Sequence, residues 1–181
     1  MRRPRSRPYL FRYERSLRPG LASAYRDPAT SPILKRAPRL GAVPEPLTGS
    51  CLCGGVRFEV TRPFRSANHC HCSRCRKHSG AFGGTQARVP REGFRLLAGE
   101  ELIRVYRPAE DAAVKAFCGV CGSSLFGARW PEGEEISIRL GALDGDPGIR
   151  PQCHSFVASR APWDELPDDG LDRFDEGAPG R

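Results

Sequence analysis

The sequence has no run of about 18 consecutive apolar residues, the length a helix needs to cross a bilayer, so a membrane-spanning helix is not expected. No apolar stretch follows the arginines at the N-terminus, as a secretory signal would require, and export is not expected either. Helical periodicity is almost absent. No recognisable nucleic-acid reader is found in the basic part of the chain either. These absences point to an intracellular, cytoplasmic protein. In that reducing setting the eight cysteines argue for metal ligation over disulfides.

The formal net charge of +8 is unevenly placed. Residues 1–40 hold 11 of the 29 Lys and Arg against two acids, Glu14 and Asp27, giving +9. The remaining 18 basic and 19 acidic residues give −1. A basic tail of this kind supplies non-specific attraction to phosphate backbones at most, so nucleic acid is not the expected partner. Pro4, Pro8, Pro19 and Pro28 interrupt any long amphipathic helix there. Residues 1–46 are therefore expected to be a disordered, basic extension, with Pro38, Pro44 and Pro46 marking the linker.

A domain is expected over 47–165. Val56, Phe58 and Val60 alternate with Arg57, Glu59 and Thr61, which places the apolar side chains on one face of a strand. Shorter strand patterns occur at Leu102 to Tyr106, Val114 to Phe117, Ser124 to Phe126 and Ile136 to Leu140, separated by Gly, Pro and Asp clusters. One helical turn is expected near Ser73 to His78. The fold class is mainly β, with small antiparallel sheets stapled by metal. Residues 166–181 read as an acidic, glycine-rich tail that frays.

Seven of the eight cysteines form three tight groups: Cys51 and Cys53; Cys70, Cys72 and Cys75; Cys118 and Cys121. Zinc sites recruit ligands in such short-spaced sets because one turn can aim two sulfurs at one ion. Two pairs fill one tetrahedron, a structural role, although spacing alone leaves open which pairs share an ion. The group of three lacks a fourth thiolate. A histidine, a water or a substrate must complete it, and His69, His71 and His78 are the nearby candidates. An ion held by three thiolates carries formal charge −1 and favours activating a thiol over polarising water strongly. Arg74, Arg76 and Lys77 stand beside this group and could offset its charge or attract the carboxylates of an acidic thiol. Cys153 reads as a small buried residue rather than a nucleophile.

The ordered segments GSCLCGGVRFEV (49–60), CHCSRCRKHSGAF (70–82), FCGVCGSSLF (117–126), GALDGDP (141–147) and HSFVASRAPW (154–163) resemble the glutathione-dependent formaldehyde-activating enzyme family, the GFA domain family, which also includes centromere protein V. The resemblance covers nearly all of residues 47–165. It implies a β-rich, β-tent-like fold with two zinc ions. Cys51, Cys53, Cys118 and Cys121 would hold the structural zinc, and Cys70, Cys72 and Cys75 the catalytic one. Arg76 and Lys77 are the candidate substrate-binding cations. The implied activity is that of a carbon–sulfur lyase, forming or cleaving an S-hydroxymethylglutathione-like adduct of formaldehyde or another small aldehyde. Its small-molecule partner would be a thiol such as glutathione. The competing expectation is a non-catalytic zinc module that binds a protein or nucleic acid.

Overall fold

The computed structural model describes residues 46–110 and 112–179. The basic extension expected over 1–46 thus lies almost wholly outside the described residues. The described residues form eleven strands and one α-helix: β1 Leu47–Ser50, β2 Arg57–Val60, β3 Ser66–Cys70, α1 Ser73–Ser79, β4 Gly84–Pro90, β5 Phe94–Ala98, β6 Ile103–Tyr106, β7 Lys115–Cys118, β8 Ser124–Ala128, β9 Glu135–Arg139, β10 Cys153–Ser155 and β11 Asp172–Phe174. The five strand patterns legible in the sequence appear as β2, β6, β7, β8 and β9, and the expected helical turn as α1. No helix among the described residues is long and apolar enough to cross a membrane.

β1, β2 and β5 form a three-stranded antiparallel sheet, and the other eight strands a second sheet in the order β11-β10-β3-β4-β9-β8-β7-β6. The large sheet is antiparallel except at one edge, where β10 runs parallel to both β3 and β11. Apolar side chains from the two sheets make the core. Phe58 and Phe126 are fully buried with ring centroids 5.2 Å apart, and Trp130 stacks on Phe126 at 4.2 Å. Val89, Val114, Ile136 and Ile138 fill the space around them. Burying a side chain of this size contributes roughly 1.5–3 kcal/mol, so this cluster is a principal source of stability.

β4 had only a weak strand signal in the sequence because one of its inward residues, Ala87, is small. Ala87 and Val89 point into the fold and are fully buried, while Gln86 and Arg88, which alternate with them, line a cavity. β9 follows the same rule, with Ile136 and Ile138 in the core and Ser137 and Arg139 on the cavity side. Strand pairing sets Asn68 opposite Gln86 and Gln86 opposite Arg139, so polar groups from three strands form one row.

The C-terminal segment departs from the expectation of a frayed tail. β11 pairs with β10 over Cys153↔Asp172, His154↔Arg173 and Ser155↔Phe174. The Phe156 N–H donates to the Glu176 carbonyl at 2.8 Å. Backbone pairing and two contacts from Asp164 and Asp169 to buried histidines hold the segment, and neither could be seen in its acidic composition.

Candidate metal centres and the cavity beside them

The first cysteine cluster joins two turns that are distant in sequence. Cys51 and Cys53 follow β1, and Cys118 and Cys121 follow from β7. Gly54 and Gly122 adopt left-handed backbone, φ +70° and +76°, which lets each turn fold back beside its sulfurs. The Cys51 N–H donates to the Val56 carbonyl at 3.1 Å and the Gly122 N–H to the Cys118 carbonyl at 2.8 Å, closing both turns. Ser123 clips them together, since its Oγ accepts from the Leu52 N–H at 2.9 Å and lies 3.2 Å from Cys121 Sγ. The four sulfurs lie within 4.8 Å of one another, with Cys53 and Cys118 at 3.9 Å. Four sulfurs bonded at about 2.3 Å to a tetrahedral ion stand about 3.8 Å apart, so the set fits a metal ion.

The electrostatics of this cluster agree with that fit. The Gly55 N–H favours the Cys53 thiolate, but the Cys51 sulfur and burial push Cys53 up to about 12. Burial opposes ionisation of Cys121, yet hydrogen bonds from the Ser123 side chain and backbone bring it down to about 6. Crowded thiols cannot all ionise side by side without a cation.

The second cluster is Cys70 at the end of β3, Cys72, and Cys75 on α1, again with all sulfurs within 4.8 Å of one another. α1 is built around it. Cys72 is the N-cap, its sulfur accepting from the Cys75 N–H at 3.3 Å, and Gly80 ends the helix in left-handed conformation. The sulfurs of Cys72 and Cys75, then burial, raise the Cys70 thiol far above its ordinary range. The sulfurs of Cys70 and Cys72 lower Cys75, against burial and with help from Arg139 and Lys115. Among the described residues no histidine nitrogen joins this group. The three sulfurs therefore fit one ion while leaving a coordination position without a protein donor.

That open side faces a cavity of about 510 Å³. All three cysteines line it, together with Asn68, Gln86, Arg88, Lys115 and Arg139. Lys115 is buried, and its Nζ donates to Cys75 Sγ at 3.2 Å. Arg139 is buried too, donating to Ser124 Oγ at 3.3 Å and to Gln86 Oε1. These two cations were not among the basic residues expected beside the cluster, Arg74, Arg76 and Lys77. Arg74 does line the cavity. Arg76 and Lys77, expected to bind substrate, do not: Arg76 is half-buried with its Nε unpartnered, and Lys77 lines a neighbouring groove with His78, Tyr106 and Phe117. The signal for Lys115 and Arg139 was a lone cation inside each of two apolar strand patterns, Val114 to Phe117 and Ile136 to Leu140. Only the paired strands show that both line the same cavity as the cysteines.

The histidines stand around the cluster without entering it. His71 points to the opposite side of β3, where its Nε2 lies 2.8 Å from His154 Nδ1, and His154 Nε2 lies 3.0 Å from Asp169 Oδ2. His69 Nδ1 is 2.9 Å from Thr85 Oγ1. His78 Nε2 is 3.4 Å from Ser124 Oγ, and burial, then the charges of Arg139 and Lys115, hold its pKa below the ordinary value. Cys153 is buried in β10, as expected.

A mainly β domain with one four-sulfur cluster and one open three-sulfur cluster beside a basic cavity defines a class of protein with two candidate metal centres. The sequence pattern of the GFA family, described as glutathione-dependent formaldehyde-activating enzyme, matches residues 46–159, and the chain belongs to this family. A protein of Halomonas elongata named "Putative glutathione-dependent formaldehyde-activating enzyme" is 33% identical over 142 residues, 74% of this chain and 88% of the relative. A protein of Sordaria macrospora with the same name is 30% identical over 106 residues, 55% of this chain but 43% of the relative. A solved protein of Rhodobacter sphaeroides is 25% identical, with a TM-score of 0.48, over 71% of this chain and 99% of the other.

Proposed function

We propose that the protein is a zinc-dependent carbon–sulfur lyase that forms or cleaves the adduct of a small thiol with formaldehyde or another small aldehyde, an S-hydroxymethylglutathione-like compound. The observation that carries this reading is the three-sulfur cluster at the wall of a 510 Å³ cavity lined by buried cations. Cys51, Cys53, Cys118 and Cys121 would hold a structural zinc, and Cys70, Cys72 and Cys75 the catalytic one. When bound there, zinc supplies an open position that keeps an incoming thiol ionised at neutral pH.

The chain's own residues account for the rest. In the forward direction the thiol sulfur forms a bond to the carbonyl carbon, the carbonyl π pair moves to oxygen, and the proton lost by the thiol ends on that oxygen. Lys115 lines the cavity and donates one hydrogen to Cys75 Sγ, so its other two are available to the oxygen as negative charge develops. Arg139 is fixed by Ser124 and Gln86 and adds positive charge beside the same space. Arg88 and Arg74 at the cavity wall suit the carboxylates of an acidic thiol such as glutathione. Holding two small reactants in one cavity lowers the entropic barrier further, by about 7 kcal/mol or more in the best intramolecular cases.

The test is zinc stoichiometry by elemental analysis before and after a mild chelator wash, with glutathione binding followed calorimetrically at each stage. Two zincs, one removable with loss of glutathione binding while the fold persists, is the expected result. Two inseparable zincs with no thiol binding would overturn the reading in favour of a non-catalytic zinc module.

A further inference from the structure

The family match ends at residue 159, but the chain continues around the edge of the large sheet. On the side away from the cysteine cluster, Asp164 Oδ2 lies 3.3 Å from His71 Nδ1 and Asp169 Oδ2 lies 3.0 Å from His154 Nε2. Both histidines are buried; the Asp169 contact is a hydrogen bond that fixes the segment to an interior group, and Asp164 lies against the other histidine. β11 then joins the sheet beside β10. Beyond β11 the chain reaches the other side, where Glu176, Gly177 and Ala178 line the cavity that contains Cys70, Cys72 and Cys75. Residues 160–179 are thus a strap that is anchored on one face and builds a wall of the site on the other.

The wall brings one unusual charge. Among the described residues the cavity is lined by four cations, Arg74, Arg88, Lys115 and Arg139, and by one acid, Glu176. Lys115 is engaged with Cys75, Arg139 with Ser124 and Gln86, and Arg88 with Glu135 at 3.7 Å. Glu176 is an exposed residue of the cavity lining and forms no ion pair among the described residues. A carboxylate held apart from cations that share its cavity is suited to a ligand carrying charges of both signs.

We propose that the strap selects the thiol, and that Glu176 recognises the ammonium group of an amino-acid-type thiol whose carboxylates face the arginines. This rests on the thiol reading given above. The experiment compares glutathione with its deaminated analogue, glutaryl-cysteinylglycine, which lacks only the ammonium group. Binding of each to the full, zinc-loaded chain is measured by calorimetry for the wild type and for Glu176→Gln, with zinc content and circular dichroism confirming an intact fold. The wild type should prefer glutathione by about tenfold, the worth of one hydrogen bond to a charged group. Glu176→Gln should abolish that preference while leaving affinity for the deaminated thiol unchanged. An unaltered preference in Glu176→Gln, or an equal loss for both thiols, would overturn the role of Glu176. Binding of neither thiol to the wild type would instead overturn the thiol reading, and this inference with it.

Discussion

Replacing Lys115 with Met removes the ammonium that touches Cys75 and keeps most of the apolar stem, so packing is largely preserved. At the observed 3.2 Å, and with an effective dielectric of about 20, the gross attraction between an ammonium and a thiolate is roughly 5 kcal/mol. Much of it is offset by the cost of keeping the charge out of water, because Lys115 is only 7% exposed. Partners that hydrogen-bond to metal ligands are typically worth about 10–100-fold in metal affinity, and we take that as the expected net effect. The prediction is a loss of this size at the three-cysteine cluster and no change at the four-cysteine cluster, which serves as an internal control. Graded chelator competition with elemental analysis of the retained zinc reads both in one sample. A folded variant that holds its labile metal as tightly as the wild type would refute the assignment of Lys115 as the charge partner of Cys75.

Cys72→Ser should abolish turnover yet leave a folded domain, because serine also caps a helix well; circular dichroism beside an adduct-formation assay checks both halves. Cys118→Ser should instead unfold the domain or strip the four-cysteine metal, since it removes a ligand that ties together turns 65 residues apart. Phe126→Ala, at the centre of the aromatic core, should cost about 3–5 kcal/mol in urea denaturation; a cost below that of an ordinary surface change would deny the core its place. His78 should titrate below its ordinary value of about 6.5, and Arg139→Gln should move it upward, as read by NMR of the imidazole. Its pKa is depressed in the fold, so the stability it contributes is complete above about 6.5 and is lost as the pH falls through the folded value.

Local chemistry made part of this protein legible without a structure. Cysteines two or three residues apart, with Gly54 and Gly122 beside them, specify turns that aim sulfurs at an ion, and the folded chain brings both sets together. Strands with an apolar face, such as β2 with Phe58 and Val60, announced themselves by their alternation. β3 and β4 did not, because small Ala67 and Ala87 on their inward side give little contrast with the polar residues that line the cavity. Lys115, Arg139 and Gln86 come from three strands that are not consecutive in sequence, and strand order and register alone set them around Cys75. The strap is the extreme case. Its acidic, glycine-rich composition reads as solvent-exposed chain, whereas its hold on the fold lies in contacts to His71 and His154, buried histidines far away in sequence or on another strand. The sequence by itself determined which residues could bind metal, since ligand chemistry and turn spacing are local; only the tertiary structure decided which charges surround that metal and which segment closes its cavity, since those depend on contacts that sheet pairing creates.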